Sequence, residues 1–164
     1  MATNARWLSA NEQELWRALL AAVRKIYRGL DETLQAGGSL SLSEFSVLVT
    51  LSEAEGHTLR LREICAELDW DRSRTSHQIT RMGKRGLVTK CRSAGDGRGV
   101  EISATEEGLE RLRAAAPEHV EAVRRLIFDH LDSQDTPVLQ NFFNNIIEAA
   151  RRNSFERETV SSSC

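Results

Sequence analysis

The sequence predicts a mostly α-helical protein with one small β-hairpin, and three observations carry that expectation. Stripes of apolar residues at helical spacing run near both ends of the chain. Only two prolines occur in 164 residues, so little interrupts those stripes. Strand signals are confined to one stretch, where two β-rich runs, Leu87–Arg92 and Val100–Ser103, flank a tip of Gly, Asp and Arg. Two short amphipathic helices joined by a polar turn precede that hairpin. Helix, turn, helix and hairpin in that order make a winged helix-turn-helix, with N- and C-terminal helices left over as a dimerisation region.

The first helix begins after Ser9, which with Glu12 forms a capping-box pattern. Leu15, Trp16, Leu19, Leu20, Val23, Ile26, Tyr27, Leu30 and Leu34 then continue one stripe until Gly37-Gly38. A second helix is expected from Ser43 as N-cap to Gly56, burying Phe45, Val47, Leu48 and Leu51. Leu61, Ile64, Cys65 and Leu68 form the inner stripe of the third. Asp69-Trp70-Asp71 is the turn, and Asp71 can cap the fourth helix, which runs to about Arg85 and stops at Gly86. After the hairpin, Ser103 or Thr105 caps a fifth helix with apolar positions from Leu109 to Leu131; Pro117 should kink or divide it. Thr136-Pro137 opens a last helix. Residues 154–164 read as a polar tail.

Charge is unevenly distributed. Residues 60–100 hold ten Lys/Arg against five Asp/Glu, while the rest of the chain holds twelve against nineteen. A basic module in an acidic scaffold fits phosphate binding without forcing the whole chain to be basic. No apolar run approaches the roughly 20 residues of a membrane span. The N-terminus, MATNARWLSANEQELW, lacks a basic start followed by an apolar block and does not read as a secretory signal. Three cysteines without CxxC spacing suggest free thiols in a reducing cytoplasm. No nucleophile elbow, phosphate loop, metal signature or acid–base constellation is visible, so neither an enzyme nor a cofactor is expected.

The fourth helix is the sharpest candidate site. Arg74, His77 and Arg81 share one face, bordered by Ser73, Ser76, Thr80 and Lys84. Arg can grip guanine with two hydrogen bonds, whereas Ser, Thr and Lys suit phosphates. At the hairpin tip three glycines permit a tight turn, from which Arg98 can enter a narrow minor groove. Asp96 can brace that loop, and Lys90 and Arg92 on the first strand suit phosphates. The apolar flanking helices exceed what the central module can cover, which predicts a second copy as partner. Two recognition helices would then reach successive major grooves, about 34 Å apart.

The run SRTSHQITRM, the Gly86-Leu87-Val88 that follows, and Asp96-Gly97-Arg98-Gly99 resemble the MarR family of bacterial transcription regulators, over about Leu8 to Arg152. The resemblance implies one domain over 1–164, dimerisation helices at 8–36 and 104–153, and a DNA-binding winged helix-turn-helix at 43–103. It implies a homodimer that reads a palindromic operator in double-stranded DNA, with Arg98 in the minor groove and Asp96 bracing it. It also implies release by a small aromatic or anionic effector in a crevice between the two regions. For that effector the candidates are Trp16, Leu19, Tyr27 and Phe45, with Arg24 as anion partner. Two alternatives stand beside this reading: oxidant sensing through Cys65 or Cys91, and a winged-helix module that binds protein instead of DNA. Gly83 departs from the helix-favouring charged residue expected in the recognition helix. His119 and His130, with Glu118 and Asp129, are too far apart for a ligand set on one helix and read as a solvated face.

Overall fold

Ser9 and Ser41 each close a capping box, and the helices they start shape the N-terminal part of the molecule. In the computed structural model, which describes residues 5–37, 40–92 and 100–161, Ser9 Oγ accepts from the Glu12 amide and opens α1 (Ala10–Ala36). Gly37 follows it in right-handed backbone, not the left-handed cap that glycine permits. The second helix, α2 (Leu42–Glu53), is capped by Ser41 and not by Ser43. Ser41 has Glu44 three residues on, and the two satisfy each other's backbone N–H groups. The helix stops before Gly56, which sits at φ 60° in a short 3-10 turn (Glu55–His57).

Three residues, β1 (Thr58–Arg60), then form a strand that the sequence did not announce. The helix-turn-helix follows as α3 (Leu61–Leu68) and α4 (Arg72–Lys84). Asp69 takes the left-handed turn position, and Asp71 Oδ1 accepts from the Arg74 amide, capping α4. Gly86 at φ 74° ends that helix and aims the chain into β2 (Val88–Arg92), which pairs with β3 (Val100–Ala104). The sheet therefore has three antiparallel strands in the order β1-β3-β2, with Thr58 opposite Ser103 and Lys90 opposite Ile102. Thr58 and Ser103 hydroxyls hydrogen bond across β1 and β3 at 2.8 Å.

The fifth helix, α5 (Glu106–Leu126), is capped by Thr105, whose hydroxyl accepts from the Gly108 amide and donates to the Gly86 carbonyl. It runs undivided through Pro117: a proline deletes one donor, and the remaining ladder carries the helix across. Its C-terminal turn is shorter than the apolar pattern suggests. Ile127 leaves helical backbone (φ −129°), so Phe128 falls in a 3-10 turn and Leu131 beyond it.

The core lies between α2, α3, α4 and the sheet. Val47, Leu48 and Leu51 of α2, Ile64 of α3, Ile79 and Met82 of α4 and Ile102 of β3 are all fully buried. Gly108 lets α5 approach this core closely, because a Cβ there would collide with the Leu87 carbonyl oxygen and reach Leu48 Cδ2 at 3.1 Å.

Two units divide the chain, residues 1–123 and 124–164. The second is dominated by α6 (Thr136–Ser161). That helix extends through most of the stretch expected as a tail, and its backbone remains helical because no Gly or Pro follows Pro137. It starts at Thr136, one residue before Pro137, with the Asp135 carbonyl accepting from the Leu139 amide. Val138, Leu139, Phe142, Phe143, Ile146 and Ile147 on α6 are exposed, as are Leu15, Trp16, Leu20 and Val23 on α1. Among the described residues no helix is long and apolar enough to cross a membrane.

Candidate nucleic-acid interface and ligand crevice

The fourth helix divides its side chains cleanly between inside and outside. Thr75, Gln78, Ile79 and Met82 are buried, while Ser73, Arg74, Ser76, His77, Thr80, Arg81 and Lys84 are all exposed. Buried positions at spacings of three and four fix the rotation of the helix about its axis, so the polar face points outward by the same packing that holds the core.

Several of the exposed side chains are already oriented. The Arg74 guanidinium lies over the Trp70 ring, 4.2 Å from its centroid, a cation–π contact. Arg81 donates to the buried Gln78 side chain. Lys90 Nζ on β2 donates to Thr80 Oγ1 at 2.8 Å, tying the first wing strand to α4. Holding long side chains in place reduces the rotamer entropy lost when a partner binds. Arg92 ends β2 opposite Val100. Asp96 and Arg98 lie outside the described residues.

One ion pair anchors the far end of α4. Arg85 Nη1 donates to both carboxylate oxygens of Glu44 at 2.6 Å, and Glu44 is only 5 % exposed. The same carboxylate accepts from the Ser41 amide and hydroxyl, so one side chain caps α2 and fastens it to the end of α4.

Beside this module, within the first unit, is a crevice of about 430 Å³. Ile26, Tyr27 and Leu30 of α1, Phe45, Ser46 and Val49 of α2, and His119 of α5 are among its walls. His119 stacks on Phe45 with ring centroids 4.3 Å apart, and its Nδ1 is buried without a hydrogen-bond partner. Burial pushes the His119 imidazole below its usual pKa.

Similarity to known proteins agrees with this architecture. The MarR family profile matches residues 39–99. AbsC, a MarR family transcriptional regulator from Streptomyces coelicolor, is 38 % identical, with a TM-score of 0.85 over 90 % of this chain and 99 % of that one. The chain belongs to the MarR family. Sco3205, another MarR family transcriptional regulator from Streptomyces coelicolor, whose crystal structure is in complex with DNA, is 34 % identical with a TM-score of 0.86, over 89 % and 91 % of the two chains. YetL, an HTH-type transcriptional repressor of Bacillus subtilis (strain 168), is 23 % identical over 127 residues, or 77 % of this chain and 75 % of its own.

On this MarR scaffold the sequence-predicted residues divide. The seven on α4 come together on one exposed face, with Lys90 joined to it through Thr80. Of the five residues expected for an effector, two lie at the crevice and three do not. Tyr27 and Phe45 line the crevice, but Trp16, Leu19 and Arg24 do not. Trp16 lies eleven residues before Tyr27, a rise of about 16 Å along a helix, so it belongs to a different level of the same stripe. Arg24 is exposed and does not line the crevice. His119 is also misassigned by the solvated-face reading, since it is half-buried against Phe45.

Glu44 and Arg85 escaped the sequence reading altogether. The signal for Glu44 was present in Ser41-x-x-Glu44, the capping-box spacing, which Ser43 lacks. Cys65 is half-buried with Sγ donating to Thr75 Oγ1 at 3.3 Å, and Cys91 is exposed opposite Glu101.

Proposed function

We propose that this chain is a homodimeric DNA-binding transcriptional repressor that reads a palindromic operator with α4 and the wing, and releases it when a small molecule enters the crevice. The observation that carries the reading is the division of α4, whose buried stripe turns Arg74, His77, Arg81 and their polar neighbours outward together. The DNA complex of Sco3205, a relative matched over most of its length, supports the same use of the fold. Residues 43–103 act as the DNA-binding region, and 8–36 and 104–153 as the dimerisation helices. The exposed apolar side chains on α1 and α6 support that association. Within the interface Arg74 and Arg81 serve as base readers, Ser73, Ser76, Thr80, Lys84, Lys90 and Arg92 as phosphate contacts, and Arg98, braced by Asp96, as the minor-groove probe. The work is done in the cytoplasm.

Selection from random duplex DNA with the purified protein tests this directly. An inverted repeat should emerge, with half-site centres about one helical turn apart. Arg81→Ala should weaken binding to that sequence by about 1–3 kcal/mol. Lys90→Ala should lower affinity on all sequences alike and reduce the salt slope by about one. Failure of any sequence to be enriched would refute the reading.

A further inference from the structure

We infer that Trp70 is a positioning residue for DNA reading: its ring face holds the Arg74 guanidinium in place while leaving that cation's N–H donors available to a base edge. The inference rests on the reading of α4 as the recognition helix. The Arg74 guanidinium carbon lies over the Trp70 ring, 4.2 Å from its centroid. Such a contact draws the whole cation to the ring and needs none of its five N–H donors. Guanine takes two of those donors side by side. Among the described residues the Arg74 side chain has no hydrogen-bond or ion-pair partner that would occupy them. Arg81 is held differently, because its Nη2 donates to the buried Gln78 side chain and one donor is used there.

The Trp70 ring is a fixed platform. Asp69 turns the chain at φ 50°, the Trp70 amide donates to the Cys65 carbonyl at 3.0 Å, and Asp71 caps α4. The backbone is thus set on both sides of Trp70, and its side chain is half-buried against the hydrophobic core. Trp70 stands one residue before the cap and Arg74 three after it, so the pair spans the first turn of α4.

The surroundings show what the ring competes with. An adjoining crevice shares Tyr27, Leu42, Ser46 and Leu68 with the first and is walled by Trp70 and Arg74. Glu67 and Asp69 line it as well. A carboxylate takes the same pair of guanidinium donors that guanine O6 and N7 take. An Arg74 released from the ring would have these two acids as alternative partners, and a paired guanidinium no longer reads a base. The ring therefore opposes the loss of Arg74 to its own neighbours.

The test uses the full chain and the duplex that it selects from random DNA. Affinity is measured for that duplex and for each single base-pair replacement, applied to both half-sites. Arg74→Ala identifies the base pair that Arg74 reads, as the one at which discrimination falls, by roughly five- to hundredfold. Trp70→Leu should lower discrimination at that same base pair by about two- to fivefold, the worth of an exposed cation–π contact. Preferences at other base pairs and the salt slope should not change. Trp70→Phe, which keeps a ring face, should retain most of the discrimination, and Trp70→Leu added to Arg74→Ala should change nothing further. One measurement needs no variant and guards against Trp70→Leu failing to fold. In the NMR spectrum of the native chain, the ring current should hold the Arg74 side-chain protons upfield of ordinary arginine positions; ordinary positions would overturn the inference. Unchanged discrimination in Trp70→Leu would also overturn it. So would a loss that persists in the Arg74→Ala background, since Trp70 would then act without Arg74. Arg74→Ala leaving every base preference intact would overturn the positioning role alone, with the regulator still standing on its selected duplex. A native chain that selects no duplex would overturn the regulator, and this role with it.

Discussion

Removing Arg85 should destabilise the protein by about 1–3 kcal/mol, a range set by how unequally the pair is buried. The Glu44 side chain is 7 % exposed and that of Arg85 41 %. Breaking a fully buried pair from one side costs about 3–5 kcal/mol, and losing a surface pair about 0–1 kcal/mol. Glu44 stands near the first limit and Arg85 does not, which places Arg85→Ala between them. Glu44→Ala removes in addition the acceptor for the Ser41 amide, so the lost cap should raise the total to about 2–4 kcal/mol. Each kcal/mol should lower Tm by about 2–4 °C in a chain of this size.

Thermal and denaturant unfolding at one fixed protein concentration, as an associating chain requires, measures each variant. The double variant closes a cycle that separates the Glu44 share from Arg85's other contacts. A coupling of about 1–2 kcal/mol is expected. Additivity within about 0.3 kcal/mol would refute the argument, because the two side chains would then be acting independently.

Gly108→Ala should destabilise by about 1–3 kcal/mol through overpacking against Leu87 and Leu48, despite a helix-propensity gain of about 1 kcal/mol; a stabilised variant would show that α5 can move aside at little cost. Gly83→Ala should do the opposite and stabilise by about 0.5–1 kcal/mol, because the nearest atom to its new Cβ is the Val88 carbonyl at an ordinary 3.8 Å; a lower Tm would contradict this. Acid stability should depend on His119. Burial holds its folded pKa below the ordinary histidine value of about 6.5, so the unfolded chain binds the proton first and stability falls as pH drops through that value towards the lowered one. His119→Gln should shallow that acid limb, and identical limbs in the two proteins would refute the assignment.

What the sequence made legible was mostly local. Ser9 with Glu12, Asp71, Thr105 and Gly86 are cap and stop signals whose meaning is contained within a few residues, and each acts where expected. The spacing of Thr75, Ile79 and Met82 likewise fixed which side of α4 faces out. Non-local features were not legible. Three residues of β1 carry too little pattern to announce a strand, which exists because β3 offers a partner. An apolar stripe shows which face of α1 is buried but not which of its turns meets α2, so Trp16 and Leu19 were placed in a crevice two to three turns away. His119 could not be distinguished from its solvated neighbours until α5 was set beside Phe45.

The crevice and the recognition helix share α2, and that sharing removes the need for a long relay between them. Phe45, Ser46 and Val49 face the crevice, Leu48 and Leu51 fill the core, and Glu44 holds Arg85 at the end of α4. The adjoining crevice ends on Arg74 and Trp70, at the start of the same recognition helix. A ligand can change DNA affinity only by as much as its own affinity differs between the binding and non-binding arrangements. Packed helices shift as rigid bodies more readily than they deform. A ligand that displaces α2 by a fraction of an ångström would therefore press on the end of α4 through the Glu44–Arg85 pair. The wing strand follows through Lys90 and Thr80, so the parts proposed to touch DNA are fastened to the helix that lines the crevice.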